Sequence, residues 1–107
     1  MDFQRHADEI GISVEAYKKL CSTFLETTKK DLSALLHAVE AEKRDEISSL
    51  AHHIKGSAAN MEFEELSSEA KALQTASSEA PLSELRQRFG SIETMFEEIE
   101  AGLGEDI

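Results

Sequence analysis

Residues 45–60 read Asp45-Glu46-Ile47-Ser48-Ser49-Leu50-Ala51-His52-His53-Ile54-Lys55-Gly56-Ser57-Ala58-Ala59-Asn60, with Met61 next. Ile47, Leu50, Ala51, Ile54, Ala58 and Met61 recur in steps of three and four, the period of an amphipathic helix. Wound at about 100° per residue, these six cluster around one direction, which is the core direction. His52 then points nearly opposite to it, about 160° away, and His53 lies on the flank, about 100° away.

The same period continues on both sides of this stretch. Upstream, Val14, Tyr17, Leu20, Cys21, Phe24, Leu25, Leu32, Leu35, Leu36 and Val39 predict a long helix over about 14–41, capped by Ser13. Before it, residues 2–10 fit a short leading helix that stops at Gly11. The polar run from Ala41 to Asp45 reads as a turn, with Asp45 as N-cap of the next helix. Downstream, a helix from near Phe63 carries Leu66, Ala70 and Leu73 and fades over Thr75 to Ser78. Pro81 suits the first position of a last helix, which carries Leu82, Leu85, Phe89, Ile92, Met95, Phe96, Ile99 and Leu103 and ends in a tail from Gly102.

These elements make one domain over residues 1–107: an all-α, antiparallel, up-down-up-down four-helix bundle with the short N-terminal helix covering one end. The length is ample for a core without disulfides or metal. One proline, no tryptophan and no runs of β-branched residues agree with an all-α chain. The formal net charge of −11 argues against nucleic acid and against an anionic membrane surface as partners. The single cysteine, Cys21, lies on an apolar face and reads as a buried thiol. With no apolar leader and no membrane-spanning stretch, the cytoplasm is the expected compartment.

The surroundings of His52 are of low relief. Ser48 and Ser49 precede it by four and three residues, and Lys55, Gly56 and Ala59 follow on the same face. Gly56 is a costly choice inside a helix, by roughly 1 kcal/mol relative to alanine. Its use is the missing side chain beside His52; close packing between helices is the competing explanation. Lys55 supplies a positive charge one turn away.

His52-His53-Ile54-Lys55-Gly56-Ser57-Ala58 resembles the His-x-[Leu/Ile]-Lys-Gly-[Ser/Ala]-[Ser/Ala] signature of histidine-containing phosphotransfer (HPt) domains. Phe63-Glu64-Glu65-Leu66, Ala70 and Leu73 resemble that family's next helix, and length and helix order match over essentially the whole chain. The resemblance implies a phosphocarrier of two-component phosphorelays, taking a phosphoryl group from one receiver-domain aspartate and passing it to another. It implies that His52 is phosphorylated, that Lys55 stabilises the phosphate and that Gly56 gives clearance; His53 inherits no role. The family usually has glycine ten residues after the histidine, where this chain has Glu62, a departure that bears on the connection and on partner choice.

On this reading the partners are response-regulator receiver domains or a hybrid sensor histidine kinase, and the domain is a monomer. It has no glycine-rich nucleotide loop and is not itself a kinase. It carries no cofactor, and the receiver brings Mg²⁺. Leu25, Leu32 and Leu36 are candidates either for a docking patch near His52 or for core filling. Two other readings are a helical scaffold that binds a receiver without transfer, and a histidine metal site. The latter is disfavoured because adjacent histidines diverge on a helix, and His6 and His37 form no ligand pair with them.

Overall fold

Ser13 decides where the longest helix begins: its Oγ accepts a hydrogen bond from the Ala16 N–H at 3.1 Å, satisfying one of the unpaired donors of the first turn. The computed structural model describes residues 3–104. Five helices are found there: α1 Phe3–Ile10, α2 Val14–Glu40, α3 Arg44–Asn60, α4 Glu64–Ala76 and α5 Leu82–Gly104. Among the described residues there is no strand. The leading helix was expected from residue 2, which lies outside the described residues.

Three helices end alike. After α1, α2 and α3 one residue turns left-handed: Gly11 (φ 86°), Glu42 (φ 54°) and Glu62 (φ 61°). In each case the next N–H reaches back to a carbonyl five residues earlier: Ile12 to Ala7, Lys43 to Ala38 and Phe63 to Ala58, at 2.9–3.0 Å. Glycine takes this conformation freely, whereas a residue with a Cβ is strained by roughly 1 kcal/mol or more. The departure at Glu62 therefore leaves the turn in its glycine-like shape, at the expense of local backbone strain.

The start of α3 differs from expectation. Asp45 is not the cap; the cap is Lys43, two residues earlier, which makes no side-chain cap bond, and the helix opens at Arg44. The tight end of α2 carries the chain straight into α3, and Arg44 is pinned from outside. Its Nη1 donates to the carbonyls of Ser77 and Ala80 at 3.1 and 2.8 Å. Asp45 and Glu46 fall in the first turn instead, where carboxylates face the positive end of the helix dipole. Pro81 precedes α5 by one residue, its carbonyl accepting from the N–H groups of Glu84 and Leu85. Nor does Gly102 begin a tail: α5 runs on to Gly104.

Helices α2 to α5 form a ring in which each packs on its sequence neighbour and α5 closes on α2. Cross-helix bonds show that neighbours run antiparallel. His53 meets Asp31, Ser67 meets Lys55, and Arg88 meets Glu69, each pair nearly equidistant in sequence from the turn between its helices. Tyr17, Leu35, Ile47, Ile54, Leu66, Leu73, Leu85 and Ile92 are fully buried, at about 1.5–3 kcal/mol for each large aliphatic side chain. Phe24 packs on Phe63 and Phe96, with ring centroids 5.2 and 6.3 Å away. Helix α1 packs on α2, burying Ala7 and laying His6 on the Tyr17 ring.

Cys21 is buried, and burial pushes its thiol pKa up. That keeps it protonated and inert, a small core hydrophobe. Of the three leucines that could fill the core or dock a partner, Leu32 is buried and Leu25 packs against the core, whereas Leu36 is 39% exposed.

Candidate functional site

The inward stripe of α3 is as the periodicity requires. Ile47, Ala51, Ile54 and Ala58 are inaccessible to solvent, and His52 is exposed on the other side. His52 borders a shallow surface cleft with Asp45, Ser48, Ser49 and Gln74. No hydrogen bond or ion pair among the described residues engages its ring.

Gln74 comes from α4 and brings an amide to the same cleft, able both to donate and to accept hydrogen bonds. It was not anticipated. A helical wheel of α3 cannot display a residue supplied by the neighbouring helix. One signal was present: Gln74 continues the four-residue step from Leu66 and Ala70, so a polar side chain stands on the edge of an apolar stripe.

Lys55 and Gly56 follow His52 by one turn and do not line that cleft; they flank it toward the C-terminal half of α3. Lys55 is half-buried, and its carbonyl accepts the Ser67 hydroxyl at 3.0 Å, which fixes α3 against α4 at that level. A Cβ built on Gly56 would meet nothing within 4 Å. Close helix packing therefore does not explain the glycine, which leaves bare backbone one turn from His52.

His53 is placed quite differently. Its Nδ1 lies 2.5 Å from Asp31 Oδ2 on α2, in a pair whose side chains are 56% and 16% exposed. The flank position read from the sequence is thus a junction between α3 and α2. Among the described residues, no three His, Cys, Asp or Glu side chains gather as a metal site. None of the described helices is long and apolar enough to cross a membrane.

Comparison with known families places this arrangement. The family model described as Hpt domain matches residues 19–102, from within α2 to near the end of α5, and the chain belongs to that family. Hpt domains are helical bundles that serve histidine phosphotransfer in phosphorelays, as phosphocarriers that meet receiver domains and kinases. The matched span includes His52, Lys55 and Gly56 and leaves α1 outside. A search of curated proteins and of solved structures finds no match.

Proposed function

We propose that His52 carries the phosphoryl group, accepting it from the aspartyl phosphate of one receiver domain and passing it to the aspartate of another. The observation that carries this reading is the setting of His52: a free imidazole opposite the core, beside a glycine that no packing contact requires. No hydrogen bond or ion pair among the described residues holds the ring, so its outer nitrogen is open to an incoming phosphoryl group.

In the proposed reaction His52 Nε2 attacks phosphorus in line with the receiver's carboxylate oxygen. The N–P bond forms as the P–O bond breaks, and the carboxylate leaves with the electron pair. The reverse sequence discharges the group to the next receiver. Such transfers depend mainly on positioning and on neutralising the phosphoryl oxygens. Lys55 offers its ammonium and Gln74 its amide N–H groups for that purpose. Gly56, with Ser48 and Ser49, allows the receiver's surface to approach. Mg²⁺ is supplied by the receiver, and the domain itself acts as a monomeric phosphocarrier of the cytoplasm without kinase activity.

The test is transfer of labelled phosphate from phosphorylated receivers of the host to the purified domain. The label should be acid-labile and base-stable, as a phosphoramidate is. It should be lost in His52→Gln and kept in His53→Gln. A wild-type domain that binds a receiver yet takes label from none of them would instead identify a scaffold.

A further inference from the structure

A second surface lies away from His52, between the first turn of α4 and the second half of α5. A groove of about 320 Å³ there has an apolar floor of Phe63, Leu66, Met95 and Ile99. Met95 and Ile99 stand one helical turn apart and are both partly exposed. The groove runs into a neighbouring recess of about 550 Å³ that shares Glu65, Met95 and Glu98 and extends to Gly90 and Thr94. From Gly90 to Ile99 the surface follows α5 for roughly 14 Å at 1.5 Å per residue, between two and three turns. No residue of it borders the His52 cleft.

Two observations indicate what it would accept. Every charged side chain lining the groove and recess is a carboxylate: Glu64, Glu65 and Glu98. The other is Gly90, in the middle of α5, where glycine costs roughly 1 kcal/mol relative to alanine. A Cβ there would meet nothing within 4 Å, so packing does not ask for it. The bare backbone continues the groove's floor at low relief.

We propose that this groove docks a basic amphipathic helix of a partner protein. Two or three apolar side chains would lie over Met95 and Ile99, and lysine or arginine on the flanks would meet Glu64, Glu65 and Glu98. A methionine on the floor suits such an occupant, since its thioether side chain reshapes around different anchors. A second copy of this chain fits poorly, because a two-fold contact would bring the carboxylates against one another. The proposal stands independently of the chemistry at His52.

The experiment titrates the isotope-labelled chain with a synthetic peptide of leucine and lysine at helical spacing, at physiological salt. Saturable chemical-shift changes are expected at the Gly90, Thr94 and Ile99 amides and at the Met95 methyl, with His52 and Gly56 unmoved. Met95→Lys, and separately Glu65→Lys with Glu98→Lys, should each weaken binding by about tenfold or more while circular dichroism stays unchanged. Shifts spread over the acidic surface or centred on His52 would overturn the proposal. So would equal binding of a same-composition peptide lacking an apolar face. Sedimentation showing a dimer of the chain alone, dissociated by Met95→Lys, would assign the groove to self-association instead.

Discussion

His52 and His53 are adjacent on α3 and both exposed, yet they belong to different surfaces of the bundle. One step along a helix turns the side chain by about 100°. For His53 that turn brings the ring onto α2, where Asp31 takes its Nδ1. For His52 it leads away from α2, to a shallow cleft whose other members are Asp45, Ser48, Ser49 and, from α4, Gln74. Identical chemistry is thus committed to holding two helices together in one case and left available in the other. Adjacency in sequence is therefore a poor guide to which ring stays unengaged; the direction of each ring relative to the neighbouring helices decides it.

The largest expected effect breaks or keeps that contrast outright. His52→Gln should lower phosphoryl acceptance by about a thousandfold or more, to background, because the attacking nitrogen is gone. His53→Gln should leave it within about twofold. Label lost from the second variant and not the first would reverse the assignment.

Lys55→Ala comes next. In the proposed reaction its ammonium would stabilise charge from a half-solvated position, so transfer should fall by about tenfold to a hundredfold, less than when an enclosed oxyanion donor is removed. Rapid-quench transfer kinetics measure this, and an unchanged rate would remove Lys55 from the site.

Gly56→Ala should act with opposite signs on two readouts. Stability to urea should rise by about 0.5–1 kcal/mol, since the new methyl enters open space and helix propensity improves. Transfer should slow several-fold if, as proposed, a receiver approaches over the bare backbone at Gly56. Glu62→Gly is the matching control at the end of the same helix. Relief of its left-handed strain should stabilise by a similar amount with no change in transfer.

The smallest effect sharpens the other half of the contrast. Asp31→Asn removes the partner of His53, whose side chain is 56% exposed, so solvent screening limits the loss to about 0.2–1 kcal/mol. Phosphoryl transfer should be untouched. A large loss of transfer in Asp31→Asn would mean that the junction with α2 also sets the position of His52.

Much of this was legible in the residues. The apolar steps of α3 located its core face, and with it the outward direction of His52. Gly11 and Ser13 marked the boundary between α1 and α2 by their own backbone and side-chain chemistry. What a single helix's periodicity cannot express is its surroundings. Gln74 enters the His52 cleft from α4, and Asp31 reaches His53 from α2; both depend on the register between helices. The start of α3 was misplaced for the same reason. Asp45 has the side chain of a cap, but Arg44, bonded to carbonyls beyond α4, holds the first turn in place. Leu25, Leu32 and Leu36 look equivalent in sequence, and only the positions of the neighbouring helices distinguish the last as exposed.

The ring of helices has a consequence for the order in which the chain assembles. Every pair of helices in contact consists of sequence neighbours except α2 with α5. Local hairpins can therefore form early, each closing a short loop, and topologies of this kind fold quickly. The seam between α2 and α5 must close the longest loop and gains least until the other helices are in place. It is expected to be the last junction made and the first to open, so amide exchange should report α5 as the least protected of the long helices.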